Sequence, residues 1–171
     1  MKDIALLTSE TNFQSLNKKI NRLVKKGELL NIRKGIYSIS DYKNEELSAK
    51  IFSPSYLSLD YVLQKEGVMF QYNRAFTSIS YLSRTIEINN STFIFKKIKN
   101  EILVNTTGIE IYPNGTSIAS PERALLDYIY LYGDSYFDNP GTLNDKKIKE
   151  ILPIYNSQIL NKRIEKLLQD A

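Results

Sequence analysis

An α+β chain in two parts is what the sequence predicts: a small basic unit of helix and hairpin, then a mixed α/β domain with a small, mostly antiparallel sheet and C-terminal helices. Three observations carry this reading. Apolar residues recur at helical spacing from Phe13 to Val24, two short β-prone runs follow at once, and β-rich runs between 77 and 112 give way to helical patterns after Ser120. The polar stretch 41–50 and the Ser53-Pro54 step place the expected boundary, giving units of residues 1–45 and 53–171.

The first unit is the more specific. Phe13, Leu16, Ile20, Leu23 and Val24 form one apolar stripe. At about 100° per residue, Lys18, Arg22 and Lys25 fall together on the opposite face, Ser15 and Lys26 flank that row, and Asn17 and Asn21 lie along one shoulder. Gly27 stands where a helix needs a left-handed residue to end. Residues 29–33 and 36–39 then read as two strands around an Arg33-Lys34-Gly35 bend. A basic helix, a glycine and a hairpin with a basic tip is the layout of a winged helix-turn-helix, whose helix enters the major groove and whose wing meets phosphates or the minor groove. About a dozen residues precede the helix, with Ile4, Leu6 and Leu7 available for one short element and Thr8-Ser9-Glu10 for a turn.

Charge agrees with this placement. Residues 18–34 hold Lys18, Lys19, Arg22, Lys25, Lys26, Arg33 and Lys34 against Glu28 alone, a net +6 in a chain whose total is +4. The remainder is therefore at −2, and the positive potential is concentrated as an electrostatic footprint on nucleic acid requires.

Along the second part, residues 55–66 read as a helix closed by Gly67, and residues 77–82, 84–88, 92–98 and 101–112 as β-rich runs with turn signals at Asn89-Asn90 and Pro113-Asn114-Gly115. Ser120 followed by Pro121 is the preferred start of a helix, which Gly133 stops. A polar loop at 134–142 and helices at 145–152 and 157–169 complete the chain.

Composition narrows the function. The 171 residues are 42% hydrophobic and 25% charged, enough for a core and ordinary for a globular protein. Absent cysteine and histidine remove disulfides, thiolates, the commonest general base, the commonest zinc ligand and every Ser-His or Cys-His pair. Carboxylate–Mg²⁺ chemistry, Lys, Tyr or a Ser-Lys pair would remain, so a non-enzyme with no cofactor and no bound metal is expected. The longest apolar runs, 92–95 and 124–126, fall far short of the roughly 18 residues a membrane span needs. Residues 1–7 are too short and, through Asp3, too acidic for a signal peptide, so a cytoplasmic location with no membrane partner is expected.

Two stretches resemble the AbiEi antitoxins of type IV toxin–antitoxin systems: Arg22 to Tyr37 (RLVKKGELLNIRKGIY) is similar to that family's recognition helix and wing, and Ala119 to Asp127 (ASPERALLD) to a motif opening a helix of its second domain. Between them, Pro54 to Asp60 (PSYLSLD) with Gly67-Val68-Met69 fits the family's linker-proximal helix, and order and spacing agree over roughly residues 15–131. The resemblance implies a two-domain antitoxin. Its winged helix would bind operator DNA at its own promoter as a repressor, and its second domain would counteract a nucleotidyltransferase toxin without requiring a tight complex with it.

Site expectations follow. Arg22 is placed for a bidentate guanine contact, Lys18 and Lys25 for phosphates, Asn17 and Asn21 for adenine, and Arg33 and Lys34 for the wing contacts. In the second motif of Ser120, Pro121, Glu122, Arg123 and Asp127, a structural role is preferred for the charged members: Glu122 answers the helix dipole and Asp127 pairs with Arg123 one turn away. Of the twelve tyrosines, Tyr128, Tyr130 and Tyr132 crowd one helix, where an exposed subset would mark a partner surface. Two alternatives stand beside the antitoxin. One is a metal-dependent nuclease drawing on Glu87, Glu101 and Glu110, weakened because none has a lysine two residues on; the other is a winged-helix regulator with a sensor domain.

Overall fold

The computed structural model describes residues 12–39, 42–71 and 73–170. The expected short element at Ile4, Leu6 and Leu7 and the turn at Thr8-Ser9-Glu10 lie outside the described residues. The chain divides into two compact units, Met1–Lys43 and Asn44–Ala171.

In the first unit, helix α1 (Phe13–Lys25) starts at Asn12, whose side-chain oxygen accepts from the backbone N–H of Gln14 at 3.0 Å and of Ser15 at 3.2 Å. Leu16 and Ile20 are buried and the opposite face is exposed. At the other end Gly27 takes φ +74°, its N–H reaches the Val24 carbonyl, and the Glu28 N–H reaches that of Leu23. This is a Schellman ending, which satisfies two orphan carbonyls and requires the left-handed glycine. Strands β1 (Leu30–Arg33) and β2 (Ile36–Ser38) pair antiparallel around Lys34-Gly35, with a register shift between Asn31 and Arg33.

The second unit opens with helix α2 (Asn44–Ile51), which overlaps the polar stretch 41–50 read as flanking the domain boundary. Its inward face carries Ser48, bonded to Ser78 Oγ at 2.9 Å, beside Leu47, so a weakly amphipathic sequence hides a packed helix. Strand β3 (Ser55–Leu57) and helix α3 (Asp60–Lys65) follow, correcting the single helix expected over 55–66. A short apolar run fits a buried strand and a helix equally well; here pairing on both sides decides for a strand, and Leu59 at φ +58° separates it from α3. Strands β4 (Phe76–Ser80), β5 (Arg84–Ile88) and β6 (Ser91–Lys97) match their expected positions within a residue or two. The run expected as strand over 101–112 is instead helix α4 (Asn100–Leu103) followed by strand β7 (Ile109–Ile111). The turn of α4 buries Ile102 and Leu103 where a strand would bury alternate residues. Strand β8 (Ser117–Ala119), helix α5 (Pro121–Tyr132), helix α6 (Asp145–Ile151) and helix α7 (Gln158–Asp170) complete the unit, with 3-10 turns at Pro140–Thr142 and Leu152–Tyr155.

Six strands form one sheet in the order β5-β6-β4-β3-β8-β7. The β5/β6, β3/β4 and β7/β8 pairs are antiparallel, and β4/β6 and β3/β8 are parallel. The sheet is therefore mixed and larger than the small, mostly antiparallel one expected. The β5–β6 hairpin turns back so that β6 inserts beside β4, and two reversals of direction leave those neighbours parallel. Alternation of side chains then assigns the layers. Ser78 meets α2 on one face, while its neighbour Ile79 and its cross-strand partner Tyr56 enter the core with Leu125, Leu126, Ile148, Tyr155 and Ile164 of the later helical segments. Among the described residues, no helix is long and apolar enough to cross a membrane.

Gly108 joins α4 to β7 at φ +73°, and a Cβ there would lie 2.7 Å from Ile151 Cδ1 and 3.1 Å from Arg123 Cβ. Gly108→Ala is expected to destabilise the second unit by about 2–4 kcal/mol, through an unfavourable φ and crowding of a core that cannot relax around Arg123. Chemical denaturation of the full chain measures this; a change below ~1 kcal/mol would show that the loop adapts.

Candidate nucleic-acid interface

The exposed face of α1 is the candidate surface. Ser15, Asn17, Lys18, Asn21, Arg22, Lys25 and Lys26 are all exposed, as the helical spacing requires. They are not equivalent. Lys18, Arg22 and Lys25 lie within about 60° of arc opposite Leu16 and Ile20, whereas Asn17 stands about 20° from Val24 at the edge of the apolar stripe. Lys26 Nζ sits 3.5 Å from Glu28 Oε1, both exposed, a pairing too weak in water to remove the lysine from contact with a stronger anion. Arg22 and Lys25 occupy the last turn, where their charges favour the negative end of the helix dipole.

The hairpin places its two cations differently. Lys34 is exposed at the turn, whereas Arg33 ends β1 just after the register shift and is half-buried. A bulge sets two residues against one and re-aims the end of the strand, so the free tip of the hairpin is Lys34 with Arg33 behind it.

The second motif forms no open site. Ser120 Oγ accepts from the Arg123 N–H at 3.2 Å as the cap of α5, with Pro121 in the first turn. Arg123 and Asp127 are fully buried, with Nε 3.5 Å from Oδ1 across one helical turn. The guanidinium donates through Nη1 to the Thr107 carbonyl at 3.0 Å and through Nη2 to the Ile102 carbonyl at 2.8 Å and the Tyr56 hydroxyl at 3.0 Å. It also lies 5.4 Å from the ring centroids of both Tyr56 and Tyr155. Asp127 accepts from Tyr155 at 2.7 Å, Ser58 at 2.8 Å and Tyr56 at 3.2 Å. Burial pushes the Asp127 carboxyl above the ordinary carboxylate range, and the guanidinium and three hydroxyls pull it back. Burial also opposes the charge of Arg123, but Tyr155, Asp127 and Tyr56 outweigh it and hold the guanidinium above its usual value. The Tyr56 and Tyr155 phenols are held well above theirs, by burial first and then by Asp127. Glu122 is buried, and its Oε1 accepts from the Asn144 N–H at 3.3 Å, tying α5 to the start of α6.

Sequence reasoning found the Arg123–Asp127 pair but not Tyr56, Ser58 and Tyr155, which lie 28 to 71 residues from the groups they bond and carry no local signal. The tyrosines of α5 diverge: Tyr128 packs on Phe137 and Tyr132, Tyr130 on Tyr155, and Tyr132 remains 44% exposed. The carboxylates of the nuclease alternative do not converge. Glu87 on β5 and Glu110 on β7 occupy opposite edges of the six-stranded sheet, about 24 Å apart at the usual strand spacing. No group of three acidic side chains placed to hold a metal occurs among the described residues. No family model matches the chain, and no curated protein matches it.

Breaking the buried pair from one side tests its structural role. Arg123→Met is expected to cost about 3–5 kcal/mol, because it leaves the Asp127 carboxyl buried without its counter-ion, and Arg123→Met/Asp127→Leu is expected to cost less than the two single changes together. Urea titrations of the three variants report both quantities; additive losses would mean the pair is not coupled.

Proposed function

We propose that the chain is a DNA-binding antitoxin of the AbiEi type. Helix α1 and the β1–β2 hairpin act as recognition helix and wing of a winged helix-turn-helix, which binds operator DNA at its own promoter and represses transcription. The second unit counteracts a nucleotidyltransferase toxin in the cytoplasm. One observation carries the DNA reading: a row of exposed cations on α1 and an exposed lysine at the hairpin tip share a segment of net +6, in a chain otherwise at −2. The RLVKKGELLNIRKGIY and ASPERALLD stretches supply the antitoxin part of the reading.

Two measurements test the interface. Replacing Arg33 and Lys34 together with alanine is expected to weaken binding to every duplex and to flatten the dependence of log K on log salt by about two units. A mobility-shift titration with unchanged affinity and slope would remove the hairpin from the interface. Arg22→Ala is expected to cost about 1–3 kcal/mol at the operator and much less on random DNA. Equal losses on both would make Arg22 a backbone contact.

A further inference from the structure

Resting on the DNA reading above, we propose that Gln14 is a sequence-reading residue of this interface, contacting the adenine of one A·T pair in the major groove. Gln14 is exposed and is the second residue of α1. Gln14, Lys18 and Arg22 advance by about 40° at each step of four residues, and Lys25 falls between Gln14 and Lys18. Gln14 therefore extends the row of cations at its N-terminal end, standing opposite the buried Leu16 and Ile20.

Three further features distinguish it. A recognition helix presents its N-terminal residues to base edges, and of the groove-facing row only Gln14 is uncharged, with an amide that both donates and accepts. That is what adenine demands at N7 and N6, whereas a lysine satisfies any acceptor. The turn that carries it is fixed, because Asn12 Oδ1 holds the backbone N–H groups of Gln14 and Ser15 and prevents the helix start from fraying. Asn17 and Asn21 offer the same amide chemistry from less favourable positions. Asn17 is turned toward the apolar stripe, and Asn21 lies about 20° beyond Gln14 on the side away from Lys18 and Arg22, with a side chain one methylene shorter. Eight residues separate Gln14 from Arg22, a rise of about 12 Å, so the A·T pair lies within about four base pairs of the guanine met by Arg22.

Selection of bound sequences from a randomised duplex pool by the full chain, its Gln14→Ala variant and its Gln14→Arg variant decides the matter. The wild type is expected to select a motif with an A·T pair that Gln14→Ala ceases to discriminate, losing about 5- to 150-fold preference there while affinity for random DNA and the salt slope stay unchanged. Gln14→Arg is expected to move the preference at that position toward G·C. An unaltered motif in both variants would overturn the assignment and leave DNA binding intact. A uniform loss of affinity on all sequences in Gln14→Ala would also overturn it, making Gln14 a backbone contact. A wild type that binds no duplex would overturn this inference together with the DNA reading beneath it.

Discussion

The ion pair between Arg123 and Asp127 is the constraint around which the second unit is organised. A charge in the core is tolerated only when it is paired and hydrogen-bonded, and Arg123 bonds through Nη1 and Nη2 to groups from separate parts of the chain, while its Nε faces Asp127 at 3.5 Å without a hydrogen bond. The Ile102 carbonyl closes α4, the Thr107 carbonyl precedes the Gly108 turn, and the Tyr56 hydroxyl comes from the middle of the sheet. Asp127 adds Ser58, just after β3, and Tyr155, at the end of a 3-10 turn. Displacing any of these segments strands a buried charge, so the cluster fixes the mutual position of β3, α4, α5 and the turn before α7. Gly108 belongs to the same device: its Cα hydrogens face Arg123 Cβ and Ile151, and there is no room for a side chain between the guanidinium stem and α6.

This cluster also settles what the ASPERALLD stretch does. Its polar residues are those a reader of the sequence would nominate for chemistry, yet Arg123 and Asp127 have no solvent-accessible surface and Glu122 very little. The charges of Arg123 and Asp127 are paired within the fold, and Glu122 Oε1 accepts from the Asn144 N–H. Any surface through which the second unit acts must be built from other residues, and the exposed aromatic rings of Tyr132 and Tyr136 show that it carries apolar surface in contact with water.

The first unit follows the opposite principle. The cations of α1 are exposed, and among the described residues their ion pairing is the weak one of Lys26 with Glu28. An exposed row of like charges on one helix is self-repulsive, and in that state it destabilises the helix that bears it. A polyanion bound as proposed above would relieve that repulsion, turning the energetic cost of the free unit into a gain on binding. The helix tolerates this arrangement because its ends are secured, by Asn12 at the start and by the Gly27 turn at the finish.

The sequence by itself determined the elements whose signals are local. Helix α1 with its glycine stop, the β1–β2 hairpin, the Asn89-Asn90 hairpin and the Ser120-Pro121 start of α5 depend on residues within a turn or two of each other, and each stands where its pattern put it. The Arg123–Asp127 pairing was legible for the same reason, being one helical turn long. Tertiary structure alone decided that residues 55–57 are a strand rather than the start of a helix, because the choice rests on partners β4 and β8, the latter some sixty residues away. It also decided that 44–51, within a stretch legible only as polar, is a packed helix, through Ser48 meeting Ser78 of the sheet. The strand order, the parallel pairs and the hydroxyl partners of Asp127 belong to the same class. Each is fixed by contacts between segments remote in sequence, whose energy appears only when the chain closes on itself and leaves no periodicity in the sequence that makes it.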